Sequence, residues 1–372
     1  MDNTNSTEIK ERPGKFNIDV VETAIPIESE ILDIAPLNSQ CSSTWLIVDT
    51  AGVLYRLDAD QASCDVVGRI PYIAEPDFAR RLGSPVSHKL YVSSNGGFVA
   101  VANDYGTAAV VMSLADSRVI RLRGGDYHSD IAALPFAFIE HEGRTLFIHR
   151  TSWNRLDISD PENGALLTQR ISPACRSEEG NSEHYLDYFH GRLLVSPDGA
   201  LVADDGWVWG SSSHLEIFSL SAWLAGNMWE SEDGPSKVTL FNREHCESPM
   251  CWIDSAHIAV GLLEDDEGNI TDGVTIFDTS KIEQQTQTQG SHSWTWRQAE
   301  EQSSFPGLGG KLFACDETLY SADASGLCIW DTTDGARIGM IPGFSPTHQH
   351  PGTRELAEIK GKIFRRWKIL IK

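Results

Sequence analysis

Apolar and polar residues alternate along most of this chain in short bursts, each closed within a few positions by Gly, Asn, Asp, Pro or Ser. Period-two bursts punctuated by turn formers predict β-strands rather than helices. The clearest case is a phrase written twice. LYVSSNGGFVAVANDYG runs from Leu90 to Gly106, and LLVSPDGALVADDGW from Leu193 to Trp207. In both, an apolar run ends in Ser, a turn follows (Ser94-Asn95-Gly96; Pro197-Asp198-Gly199), and a second alternating run ends in acid. Each phrase predicts a strand, a tight turn and a second strand, with another turn and a third strand beyond.

The third strand can be followed through the whole sequence. It reads GVLYRLDAD from Gly52, TAAVVMSLAD from Thr107, SWNRLDISD from Ser152 and HLEIFSLS from His214. It continues as GVTIFDTS from Gly273, GLCIWDTT from Gly326 and GKIFRRWK from Gly361. These seven copies are separated by about 35 to about 60 residues, around the ~40–45 expected of a four-stranded propeller blade with loops of variable length. The pattern predicts an all-β chain, a seven-bladed β-propeller of four-stranded antiparallel blades, in which radial repetition protects the strand edges. A two-sheet sandwich is the alternative, but it rarely needs seven similar units.

The residues Ile329-Trp330-Asp331, Ile276-Phe277-Asp278, the turn Ser196-Pro197-Asp198-Gly199 and Phe344-Ser345-Pro346 resemble those of WD40-like propellers. The resemblance covers nearly the whole chain from about Phe16. One Trp-Asp ends a third strand, and no repeated Gly-His dipeptide opens the units. The stretch from Asp187 to Trp209 is also similar to bacterial WD40-like propellers of unassigned function. The resemblance implies closure by pairing one terminus with the other.

The last unit supplies strands expected around 343–345, 354–359 and 362–369, and lacks a fourth. The segment FNIDVVETAIPI (residues 16–27) has strand character and no unit of its own. Pairing it with the last unit places Asp19 and Glu22 beside Lys362, Arg365, Arg366 or Lys368, where opposite charges across a strand pair contribute roughly 0.2–1 kcal/mol each. The organisation expected is a disordered polar tail over residues 1–15 and one propeller domain over 16–372. Three insertions interrupt the repeat, at 173–185, 221–235 and 281–306. In the second, Ser221 is expected to cap a short helix carrying Trp223 and Leu224.

Acidic residues outnumber basic ones by 53 to 30, a net charge of −23. Such a field disfavours nucleic acid and anionic membrane and favours a basic protein or peptide partner. No apolar run is long enough for a membrane helix, and the polar N-terminus has no signal-peptide core. Seven cysteines, an odd count without CxxC spacing, predict reduced thiols in a cytoplasmic protein; separately, the chain is expected to be a monomer on its own.

The turns between second and third strands should share one face, and Asp49, Asp104, His149, Asp204, Asp205, the acids from Glu264 to Asp272, and Asp323 fall near them. Asp, however, is also a good turn former. The resulting expectation is a non-enzymatic platform. A basic partner would meet Asp104, His149, Asp204, Asp205, Asp265, Asp266 and Asp323, with Trp294 and Trp296 adding apolar contact from the 281–306 insertion. Of the eleven tryptophans, Trp153, Trp252, Trp330 and Trp367 are expected in packing between blades. The acidic 264–272 loop lacks two ligands of the calcium-loop pattern, and His348-Gln349-His350 alone is a weak zinc pattern. No nucleophile elbow or phosphate loop is present. No cofactor is expected. The competing class is a metal-dependent hydrolase or lyase whose ligands converge from several blades.

Overall fold

The computed structural model describes residues 9–37, 42–71, 73, 75, 85–170, 184–210, 213–243, 247–264, 270–282 and 299–369. They form 27 strands and two short helices. After β1 (Val21–Ala24), the strands fall into consecutive antiparallel meanders. The first contains β2 (Ile31–Pro36), β3 (Thr44–Asp49), β4 (Val53–Asp58) and β5 (Ser63–Arg69). The second contains β6 (Ser87–Val92), β7 (Phe98–Asp104), β8 (Ala108–Ser113) and β9 (Val119–Arg123). The third has β10 (Phe136–His141), β11 (Arg144–Ser152) and β12 (Arg155–Ser159), its outer edge touched by a bridge from Ser159 to Leu166.

The fourth meander has β13 (Phe189–Val195), β14 (Leu201–Trp207), β15 (Ser213–Ser219) and β16 (Val238–Arg243), with α1 (Leu220–Leu224) and α2 (Glu230–Asp233) inserted before its last strand. The fifth has β17 (Met250–Trp252), β18 (His257–Glu264), β19 (Ile270–Asp278) and β20 (Glu300–Pro306). The sixth has β21 (Lys311–Cys315), β22 (Thr318–Asp323), β23 (Gly326–Asp331) and β24 (Arg337–Pro342). The seventh has β25 (His348–His350), β26 (Glu355–Lys360) and β27 (Ile363–Lys368), with β1 on its outer edge. All seven expected third strands are present.

The twice-written phrase has a local cause. Ser93 and Ser196 are buried, and each hydroxyl accepts the N–H five residues on, Phe98 or Leu201, at 2.9 Å. Asn95 and Asp198 accept the next free N–H groups, from Gly97 and Ala200. Gly96 and Gly199 take φ of 68° and 74°, a region that glycine enters without a Cβ penalty. The same turn chemistry thus sets the register of two sheets.

Two units make up the chain. One comprises residues 26–247 with Ile282, and the other residues 9–25, 248–281 and 299–369. In the first unit, Leu46, Val48 and Leu54 pack against Leu90, Val99, Val101 and Met112 of the next sheet. Ile148, Leu156 and Ile158 pack in the same way on Val202, Phe218 and Trp223. β8 and β14 are buried at every position, with Asp204 and Asp205 of β14 buried along with its apolar residues. In the second unit, Tyr320, Leu327 and Ile329 pack against Leu356 and Trp367. Trp330 and Trp367 are buried, as expected, whereas Trp153 and Trp252 are half-exposed.

β1 pairs antiparallel with β27, Glu22 opposite Arg365, and these two side chains form an ion pair at 3.0 Å. Upstream, residues 10–14 run beside β24: Arg12 and Gly14 donate to the carbonyls of Arg337 and Ile338, and Lys10 accepts from Arg337. Lys10 and Arg12 pair with Asp334, and Arg12 also with Asp331.

Two sequence expectations are corrected here. The first strand of the last sheet is His348–His350 rather than 343–345, because Gly343 at φ 69° turns the chain out of β24. The helix after β15 is capped by Ser219, whose side chain accepts from Ala222 N–H, two residues before the expected Ser221.

Candidate functional site

The acidic candidates occupy different environments. Asp49 is 1% exposed and closes its turn by accepting from Ala51, Val53, Ser29 and Tyr55. Burial raises its pKa, but these bonds hold it below the usual range. Asp323 is exposed and accepts from the backbone and hydroxyl of Ser325. His149, Asp204 and Asp205 were expected in turns but lie inside β11 and β14 and are buried. Their strands run on because neighbours within the fold accommodate the polar groups. Asp204 accepts from Gly191 N–H and sits 2.5 Å from His190 Nδ1. Asp205 lies 3.8 Å from Arg192, and His149 Nε2 is bonded to Ser159 Oγ at 2.9 Å. Burial pushes His149 down to about 4, so it stays neutral over the neutral pH range. Asp265, Asp266, Trp294 and Trp296 lie outside the described residues.

Asp104 is half-buried at the end of β7, within the electrostatic reach of Lys89, Glu247 and Asp33. The adjacent Tyr105, held at φ 59°, donates its hydroxyl to Glu247. Burial pushes Asp104 up to about 7; Lys89 opposes this, while Glu247 and Asp33 add to it. An unfolded Asp ionises near ~3.9, so the folded chain holds this proton more tightly. This group's contribution to stability therefore falls as pH rises from about 4 to about 7 and is flat above. Asp104→Asn cannot ionise. It is expected to melt roughly 2–5 °C above wild type at pH 8 and to match it near pH 4. Equal differences at both pH values would contradict the assignment.

The most distinctive surface is aromatic. Tyr127 and His128 come from the β9–β10 connection, Trp153 from the β11–β12 turn, Phe189 from the start of β13, and Trp207 and Trp209 from the end of β14 and the residues beyond it. Phe189 and Trp207 form the buried floor, 4.6 Å apart between ring centroids. Above them Tyr127 and Trp209 are 47% and 45% exposed, the largest exposures of any aromatic side chain among the described residues. Tyr127 stands edge-on to Trp153 at 5.5 Å and 67°, and to Trp209 at 6.0 Å and 64°. Trp209 is fixed by donating its indole N–H to Asp187, and Trp207 by donating to Gly210 O. Over the floor Tyr127 stacks on Phe189 at 5.9 Å and 29°, and Trp209 stands edge-on to Phe189 at 5.2 Å and 84°, so both exposed rings are held in a fixed geometry. Asp126, exposed, adjoins Tyr127 in the chain, and Asp187 adds a second carboxylate.

The sequence sets Trp207 and Trp209 in a run of tryptophans that continues with Trp223, Trp229 and Trp252. It gave no sign of Tyr127, His128 or Asp187, whose loops are separated by dozens of residues. Among the described residues, no group of three or more His, Cys, Asp or Glu is placed to hold a metal ion. His348 and His350 lie in β25, where His348 Nδ1 meets Thr347 Oγ1 and His350 Nδ1 accepts from Thr353 N–H.

No family model matches the chain, and no curated protein sequence matches it significantly. Solved structures do. The β-propeller domain of Cps50 (Swd1) from Myceliophteria thermophila superposes with a TM-score of 0.57 at 11% identity, covering 94% of this chain and all of that one. A chain of the mitotic checkpoint complex gives 0.56 at 12% identity, covering 98% of this chain and 99% of that one. At such identity the likeness concerns fold alone. The seven antiparallel sheets are the blades of a β-propeller.

Proposed function

We propose that this propeller is a protein-interaction platform and that its contact surface is the aromatic cluster around Tyr127 and Trp209, which takes basic side chains of a partner protein. The observation that carries the reading is the pair of exposed rings held at fixed angles over Phe189 and Trp207. Monomeric surfaces seldom present large aromatics in a rigid group without use, and such rings dominate interface energetics. A guanidinium or ammonium over such a face gains about 0.5–2 kcal/mol. Asp126 and Asp187 add charge of the right sign, and the chain's net −23 steers a cationic partner toward it. The similarity to a chain of the mitotic checkpoint complex, itself an assembly of proteins, supports protein partners.

Asp104, half-buried, and Asp323, exposed, are proposed as further acidic contacts. So are Asp265 and Asp266, with Trp294 and Trp296 as further aromatic ones. His149, Asp204 and Asp205 serve the interior through the bonds described above and are not offered as contacts. The test is a calorimetric titration with an arginine-rich peptide. Wild type is expected to bind, and Tyr127→Ala combined with Trp209→Ala to bind at least about tenfold more weakly.

A further inference from the structure

We infer that the fourth blade's helical insertion walls a second, independent site, a cavity for a small apolar molecule bearing one carboxylate. The cavity measures about 430 Å³, within the ~300–1,000 Å³ of small-ligand sites. Its floor is Leu146, 3% exposed, and Trp223, 1% exposed. The Nε1 of Trp223 is itself buried and meets no acceptor among the described residues. Leu224 completes the floor, while Leu167 and Met228 stand at the mouth 45% and 39% exposed. Two of the large apolar side chains exposed among the described residues thus face one concave space, an exposure that a ligand would relieve.

The wall is preorganised. Ser219 caps α1, Phe218 packs edge-on to Trp223 at 5.7 Å, and the segment carrying α2 is fixed by buried bonds from Asn227, Ser236 and Arg170 to Glu230 and Glu232. No other blade has such an insertion among the described residues.

At the rim Arg144 donates Nη2 to Asp160 at 2.6 Å, and its Nε and Nη1 meet no acceptor among the described residues. A planar fork with free donors matches a carboxylate. The exposed Glu142 on the same rim limits the ligand to a single negative charge.

The test uses the full chain, titrated with decanoate, decanol and decylammonium. Decanoate is expected to bind most tightly. Arg144→Gln should weaken decanoate about tenfold and leave decanol unchanged, and Leu167→Gln, on an exposed residue, should weaken both. Absence of decanoate binding would overturn the site. Tighter binding of decylammonium, or decanoate affinity unmoved by Arg144→Gln, would overturn the carboxylate assignment.

Discussion

Removing residues 1–25 lowers the melting temperature by roughly 5–15 °C. The segment supplies the outer strand of the last blade, where Val21 to Ala24 pair with Arg366 to Ile363. Thr23 and Ile25 are 6% and 4% exposed, and Ile25 N–H donates to Lys362 O at 2.8 Å. Phe16 and Val20 pack on the Leu356 and Trp367 cluster, Ile9 packs on the Trp330 cluster, and Trp367 donates its indole N–H to Asn17 O. Each buried apolar side chain is worth about 1.5–3 kcal/mol, and the ion pair of Glu22 with Arg365, exposed on one side, adds little. Strand and packing therefore carry the effect. Loss of β1 also bares the edge of β27, an invitation to association. Scanning calorimetry of the truncated and full chains decides the matter, and an unchanged transition would show that β1 does not hold the last blade.

Arg170→Ala is expected to cost about 3–5 kcal/mol, the usual result of stripping one partner from buried charges. The Arg170 side chain is 1% exposed and lies between Asp157, 0% exposed, and Glu232, 1% exposed. It also donates to the carbonyls of Thr168 and Leu156 and lies over the ring of Trp229 at 5.4 Å. Asp157 keeps Arg155 and Thr168 as partners, whereas Glu232 is left with Ser231 alone among the described residues. The loss should therefore be partly recovered by adding Glu232→Gln, which removes the stranded charge. Urea midpoints for the two single variants and the double variant measure both terms. A cost below about 1 kcal/mol for Arg170→Ala would show that the cluster does not anchor α2.

The strands were legible because their apolar runs are short and closed by turn formers. Third strands such as β8 and β23 are apolar up to their last residue, Ser113 or Asp331, and the serine turns at Ser93 and Ser196 use chemistry local to a few residues. Pairing of an N-terminal strand, here residues 21–24, with the last blade was also legible, since Glu22 and Arg365 are complementary in type. The buried acids were not. Asp204-Asp205 before Gly206 has the composition of a turn, and what keeps it in a strand is His190 from β13, together with Arg192. Nothing in the spacing of a single sequence states that pairing. The aromatic cluster was illegible as a group for the same reason, since its rings arrive from three connections and from the ends of β13 and β14, far apart in the chain, and share no period.

The claim that the Tyr127 and Trp209 surface takes basic side chains is tested most directly by the arginine-rich peptide titration, repeated against salt and with a glutamate-rich peptide as control. Wild type should bind the basic peptide alone, more weakly as salt rises. Tyr127→Ala with Trp209→Ala, shown by its melting curve to be folded, should lose at least about tenfold in affinity. Equal affinity of variant and wild type, or binding of the acidic peptide, would contradict the account.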